Sequence, residues 1–187
     1  MLKRGLDIVG AALGLVLLSP VFLILAILVK LETPGPALHL SRRVGLGARI
    51  FMMPKFRSMR IDAPDVATHL LPDPDSWITP LGRFLRHSSL DELPQLWSVL
   101  IGRMSLVGPR PALFNQHDLV RLRSEAGVYV LRPGLTGWAQ VNGRDELPIP
   151  EKARLDAEYL ARRSFLMDIA IILRTAGTAF SGRGIRH

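Results

Sequence analysis

The longest apolar stretch of the chain runs from Ile8 to Val29, with no charged side chain inside it. A run of roughly 22 residues is long enough for the hydrocarbon core of a bilayer. Ser19-Pro20 stands at its middle. Proline removes a backbone donor and crowds the preceding turn, so the pattern predicts two helical halves meeting at a kink. A serine hydroxyl beside the proline can satisfy the carbonyl that the proline releases, which makes a break tolerable in lipid. A secretory signal peptide would be shorter and followed by a small-residue cleavage site, and none follows. Both flanks are basic, with Lys3 and Arg4 before the run and Lys30, Arg42 and Arg43 after it. Positive charge collects on one side of a membrane, so both ends belong on the same face. The expectation is a re-entrant helix-break-helix over residues 1–32, with a straight spanning helix as the weaker alternative.

Beyond Thr33-Pro34-Gly35-Pro36, a chain breaker, the pattern shortens. Ala48 to Phe56 leans toward a strand, limited to an edge by Pro54. Asp62 to Pro80 holds four prolines and four aspartates and reads as a surface loop. Leu81 to His87 forms a short amphipathic helix, and Gln95 to Ile101 an apolar one that stops near Gly102. Ala112 to Ala126 is helical by pattern, and Pro133 to Gly143 is glycine-rich and turn-like. Pro150 to Arg163 and Phe165 to Phe180 show helical periodicity. In the last of these, Phe165, Leu166, Ile169, Ile172 and Leu173 share one face. That face is either core or an interfacial surface with Arg162, Arg163 and Arg174 near lipid headgroups.

Composition narrows the chemistry. The formal net charge is +8, from 24 Lys+Arg against 16 Asp+Glu, and only Lys3, Lys30, Lys55 and Lys152 are lysines. Arginine suits planar, bidentate phosphate recognition, although genomic composition alone can enrich it. A basic chain can serve nucleic acid, anionic lipid or a nucleotide. The absence of cysteine excludes disulfides, thiolate metal sites and a cysteine nucleophile. His39, His69 and His117 are isolated and read as ordinary surface or loop residues.

Asp91 and Glu92 stand together in Ser89-Leu90-Asp91-Glu92-Leu93-Pro94-Gln95. A purely structural reading exists. Ser89 and Glu92 have the spacing of a capping box, and Asp91 could instead be an N-cap. The catalytic reading is open as well. Adjacent helical residues point about 100° apart, so the two acids suit separate tasks, one as nucleophile and one as metal ligand. A carboxylate at a helix start is favoured as its anion, and the same terminus attracts phosphate. Ionised carboxylates are covalent nucleophiles in phosphoryl chemistry. Basic residues to hold phosphates stand at Lys55, Arg57 and Arg60, at Arg110 between two prolines, and at Arg144 after Gly143. The glycines of 133–144 permit close backbone approach to a ligand.

Taken in order, these stretches resemble the bacterial sugar transferase family, the monotopic polyprenyl-phosphate phosphoglycosyl transferases. The likeness is carried by Lys3-Arg4-Gly5-Leu6-Asp7, Ser19-Pro20, Arg43-Val44-Gly45, Lys55-Phe56-Arg57-Ser58-Met59, Ser89 to Gln95, Met104 to Pro111 and Pro133 to Arg144. It runs from about residue 3 to about residue 175, and the chain reads as little more than the family's catalytic unit, without the extra N-terminal membrane region of longer members. The resemblance implies an α+β, mostly helical fold. Residues 1–32 would form the re-entrant membrane hairpin, 33–180 a small cytoplasmic catalytic domain with interfacial amphipathic helices, and 181–187 a tail.

The implied activity is transfer of a sugar-1-phosphate from a UDP-sugar to polyprenyl (undecaprenyl) phosphate, with release of UMP. It would be the first membrane step of a bacterial glycan pathway. Asp91 would be the nucleophile that carries the phosphosugar, and Asp91 and Glu92 together would hold Mg2+. Lys55, Arg57, Arg110 and Arg144 would bind substrate, and Ser19-Pro20 would break the membrane helix. The implied partners are the UDP-sugar, polyprenyl phosphate and membrane lipid, without nucleic acid and with room for a homo-oligomer. The implied location is the cytoplasmic face of the bacterial inner membrane. His87 and the stretch Ala161 to Leu166 depart from the family pattern, which bears on lipid contacts and not on the acid pair. Two rival classes remain. A non-enzymatic basic module on lipid or nucleic acid would lose affinity with salt. A phosphatase or ordinary glycosyltransferase would release phosphate or UDP.

Overall fold

The computed structural model describes residues 2–64, 73–143 and 147–181. His69, Arg144, residues 65–72 of the loop expected over 62–80 and nearly all of the C-terminal tail lie outside the described residues; the rest of that expected surface loop holds a helical turn at Pro74–Trp77 and buries Ile78 and Thr79.

The apolar N-terminal run forms two helices, α1 (Leu2–Leu17) and α2 (Ser19–Glu32), that meet at 61°. Pro20 cannot donate to the carbonyl of Val16, four residues back. The Ser19 hydroxyl donates to that oxygen at 2.8 Å instead, as expected from the pair. Among the described residues no single helix is long and apolar enough to cross a membrane, whereas this bent pair has the length and composition jointly.

The chain then forms an antiparallel hairpin, β1 (Leu38–Val44) against β2 (Ile50–Phe56). Pro54 lies opposite Leu40 in the register and is tolerated because both strands of a two-stranded sheet are edges. β1 escapes the hydrophobic pattern because His39, Arg42 and Arg43 interrupt it. A single turn, α3 (Pro74–Trp77), precedes α4 (Pro80–His87). Thr79 caps α4 by accepting from the Gly82 amide at 2.9 Å, and Pro80 occupies the first turn, where no donor is missed. A short 3-10 turn over Leu90–Glu92 leads into α5 (Gln95–Leu100) and then β3 (Ser105–Val107).

The helix expected over Ala112 to Ala126 is confined to α6 (His117–Glu125). Residues 112–116 instead run against β1, with the Val44 amide donating to the Ala112 carbonyl and the Phe114 amide to that of Arg42. The turn-like stretch after Pro133 contains β4 (Gly134–Thr136), parallel to β3, and one turn of helix, α7 (Trp138–Val141). Its glycines serve backbone packing. A Cβ on Gly134 would lie 2.1 Å from the Gly108 nitrogen, and one on Gly137 2.1 Å from the Gly108 oxygen. α8 (Ile149–Arg162) and α9 (Phe165–Ser181) complete the chain. α9 buries Asp168 and Ile171. The apolar face expected on Phe165, Leu166, Ile169, Ile172 and Leu173 is split: Phe165, Leu166 and Leu173 point outward, with Leu166 79% exposed, whereas Ile169 is half-buried and Ile172 packs against the core of Val107, Tyr159 and Ile171.

Two apolar clusters join the N-terminal helices to the rest. Ala11 packs with Met53, Leu96, Val99 and Met104, and Leu25 and Val29 pack with Phe56 and Leu85. α5 lies along α1. The acid pair just before α5 is therefore held beside the bent helices.

Candidate active site

The acid pair occupies the bend between α4 and α5. Ser89, immediately before it, takes a left-handed backbone with φ 57°. A non-glycine residue there carries local strain, which the surrounding packing must hold in place. A capping residue needs an extended backbone, so the Ser89 side chain caps nothing and no capping box forms with Glu92. Asp91 lies inside the 3-10 turn and is not an N-cap either. Both structural roles offered for the acids by spacing are absent.

Instead the acids meet cations from distant segments. Lys55, near the end of β2, donates to Glu92 Oε1 at 2.7 Å and stands 3.5 Å from Asp91 Oδ2. Arg110 grips Glu92 with two nitrogens, at 2.7 Å to Oε1 and 3.3 Å to Oε2. Planar forks of this kind fix geometry as well as charge. Arg86, in the last turn of α4, adds a third positive charge facing Asp91. Its Nε donates to the Ser58 hydroxyl at 3.1 Å. Lys55, Arg86 and Arg110 thus face the two carboxylates from three separate segments.

Burial would raise both acids, and the outcome differs between them. At Asp91 burial prevails over Lys55 and the arginines, and the carboxyl titrates above the ordinary aspartate range. The expected lowering by a helix terminus does not decide it. At Glu92 burial is overcome by the charges and hydrogen bonds of Arg110 and Lys55, which hold it well below the ordinary glutamate range.

The structure thus brings Asp91, Glu92, Lys55 and Arg110 together. Arg57 goes elsewhere. Its guanidinium donates to the carbonyls of Thr33 and Pro34 and to the Thr33 hydroxyl, all at 2.7–2.8 Å, and so fastens the end of α2. Arg144 is outside the described residues. Arg86 is the residue that sequence reasoning missed; the run Arg83, Arg86, His87 on a short amphipathic helix looks like a solvated face.

Among the described residues no group of three or more acid or histidine side chains is arranged around a metal. Two hard carboxylates still fit Mg2+, which takes one or two from protein and completes its shell with water and substrate phosphate. Among the described residues Asp91 makes only the long contact to Lys55, whereas both Glu92 oxygens are engaged.

The profile for Bacterial sugar transferase matches residues 1–182. The chain is 46% identical over 182 residues to a UDP-glucose:undecaprenyl-phosphate glucose-1-phosphate transferase of Caulobacter vibrioides, covering 92% of this chain and 67% of that protein. It is 44% identical over 178 residues to a protein of the same name from Xanthomonas campestris, covering 91% of this chain and 37% of the relative. It is 38% identical over 190 residues to a UDP-N-acetylgalactosamine-undecaprenyl-phosphate N-acetylgalactosaminephosphotransferase of Aeromonas hydrophila, covering 99% of this chain and 45% of the relative. The chain therefore spans less than half the length of the latter two.

Proposed function

The chain belongs to the bacterial sugar transferase family, and on that premise we propose that it transfers a sugar-1-phosphate from a UDP-sugar to polyprenyl phosphate and releases UMP. The observation that carries this reading is the cluster itself: a buried carboxylate, Asp91, with Lys55, Arg86 and Arg110 around it and a neighbour, Glu92, already neutralised by two of them. The names of the relatives vary in the sugar, glucose or N-acetylgalactosamine, and agree on the UDP donor and the undecaprenyl phosphate acceptor. The reading therefore commits to the donor class.

The chemistry divides into two displacements. An Asp91 oxygen attacks the β-phosphorus of the donor, the bridging oxygen leaves with UMP, and the phosphosugar is held on Asp91 as an acyl phosphate. An oxygen of the lipid phosphate then attacks the same phosphorus, and the Asp91 carboxylate departs as the lipid diphosphate sugar forms. Lys55 and Arg110 are held by Glu92 within reach of the diphosphate, so little reorganisation is needed as charge moves to the leaving group. Arg86 compensates negative charge on the Asp91 side. Mg2+ held by Asp91, with Glu92 as the second carboxylate, would supply charge neutralisation that lets an anion approach a diphosphate. Asp91 must be ionised to attack, and its raised pKa makes it a better nucleophile once it is.

The same reading places the bent α1–α2 pair in the cytoplasmic leaflet of the inner membrane as a re-entrant anchor. Both ends of the pair being fastened to one body supports this. At the start, Lys3 donates to Asp168 at 2.7 Å, to the Val107 carbonyl at 2.9 Å and to the Tyr159 hydroxyl at 3.1 Å. Arg4 holds the carbonyls of Val99 and Leu100 at the end of α5, and Asp7 accepts from Ser105 and the Leu106 amide. At the other end, Glu32 accepts from the Leu81 amide and Arg57 clasps Thr33 and Pro34. Exposed Val16, Leu17, Leu23 and Leu31 on the pair, and Leu166 and Leu173 on α9, offer apolar surface to lipid.

Product identity tests the reading. Membranes containing the protein, given a panel of UDP-sugars with undecaprenyl phosphate and magnesium, should release UMP with at least one donor, and chelation should abolish it. Release of UDP would make it an ordinary glycosyltransferase, and release of inorganic phosphate a phosphatase; either result rejects the proposal.

A further inference from the structure

Arg110 reaches Glu92 from the loop 108–112, and four successive carbonyls of that loop are each taken by a different donor. The Pro109 oxygen accepts from the Gly134 amide at 2.9 Å, that of Arg110 from Arg123 Nη1 at 2.8 Å, that of Pro111 from Arg43 Nη1 at 3.2 Å, and that of Ala112 from the Val44 amide at 2.9 Å. Arg123 differs from the other donors in its setting. It comes from α6 and is only 3% exposed. Its Nε and Nη2 both donate to Asp156 Oδ2 on α8, at 2.8 and 2.6 Å, and Asp156 is 1% exposed. A buried ion pair is weak evidence for stability, because desolvation offsets most of the attraction and an apolar pair could pack the two helices equally well. The guanidinium, however, has five donors in a fixed fork. While Asp156 holds one edge, another nitrogen is aimed at the carbonyl of Arg110 itself.

We propose that the Arg123–Asp156 pair is a positioning device for the active site: it fixes the backbone from which Arg110 grips Glu92, and through Glu92 it sets where Lys55 stands relative to Asp91. Arg123 touches no substrate in this account. The inference rests on the reading of Arg110 as part of the donor site, yet its structural half can be tested without any reaction.

The variants are Arg123→Lys, which keeps the charge opposite Asp156 but cannot span Asp156 and the Arg110 carbonyl together, and Asp156→Asn, which releases the other edge of the fork. Hydrogen exchange on the full chain in lipid nanodiscs reads the loop through the amides of Val44 and Gly134, which bond to its carbonyls. Their exchange is expected to quicken about tenfold in Arg123→Lys, with the interior amides of α6 and α8 changing less than about twofold. Unchanged loop amides, or helices that loosen together with the loop, would overturn the proposal. Kinetics of UMP release give the second readout, from Arg110→Ala, Arg123→Lys and the double variant. If Arg123 acts through Arg110, the double variant has the kcat/KM of Arg110→Ala alone, and Arg123→Lys raises the donor KM more than it lowers kcat. Multiplying losses would show an independent role and reject the inference. A wild-type protein that released no UMP from any donor would strike the proposed function instead, and the exchange result would then decide this inference by itself.

Discussion

At Asp91 the loss of water outweighs the attraction of Lys55, Arg86 and Arg110, whereas at Glu92 the two cations in contact outweigh it. The consequences for stability have opposite signs. A carboxylate whose folded pKa is raised loses stability for the fold as pH climbs through that pKa, so above its ordinary range the buried Asp91 carboxyl is a cost to the fold. Asp91→Asn should therefore lose phosphosugar transfer while keeping an equal or higher melting temperature at pH 7, measured by thermal unfolding in detergent. Transfer by the wild type should fall on acidification at a pH above the ordinary aspartate value of 3.8. Glu92, with a depressed pKa, contributes stability above its ordinary value of 4.5 that is lost as pH falls below it. Glu92→Ala should cost about 1–3 kcal/mol in denaturant unfolding at pH 7, because Lys55 and Arg110 lose a shared partner, and should flatten the acid limb of the stability curve. The acid pair, Lys55 and Arg110 were legible in the sequence because they sit in long ordered motifs. Arg57 was expected on substrate from the same motif as Lys55; nothing in its spacing says that its guanidinium turns back onto Thr33 and Pro34.

Among the elements, α4 shows how closely packing controls the site. A Cβ on Gly82 would lie 2.0 Å from the Ser58 carbonyl oxygen, which is backbone and cannot swing aside. Gly82→Ala should lift α4 off that segment, cost about 3 kcal/mol in denaturant unfolding, and reduce transfer by displacing Arg86, whose Nε bonds to the Ser58 hydroxyl. The bent N-terminal pair was readable because apolar length and a proline are local signals. Strand β1 was not, since charged residues hide its alternation. The register of β3 on β4 depends on residues about thirty positions apart, Ser105 opposite Gly134, and no local pattern carries it. α9 was read with the right period but only part of its buried face, because Asp168 points inward to Lys3 and Tyr159 and so turns Leu166 and Leu173 outward while Ile172 stays on the core.

For the whole molecule, the pins at Lys3, Arg4 and Asp7 and those at Glu32 and Arg57 tie both ends of the apolar pair to the body that carries Asp91. The native chain has no cysteine, so single reporters can be introduced without background. Leu2→Cys and Pro36→Cys should both react with a membrane-impermeant maleimide from the cytoplasmic side of inverted vesicles, and neither from outside intact spheroplasts. Reaction from opposite sides would mean a span. The family signal was legible in order and wording alone, whereas the clasp of Arg123 on the Arg110 loop was not, because it joins α6, α8 and a proline-bounded loop that are distant in sequence. The most direct measurement follows label from the donor. Protein incubated with magnesium and a UDP-sugar labelled in the β-phosphate, without any polyprenyl phosphate, should release UMP and retain the label on the wild type, and Asp91→Asn should retain none. Label on Asp91→Asn, or UMP appearing only once the lipid phosphate is present, would contradict the account.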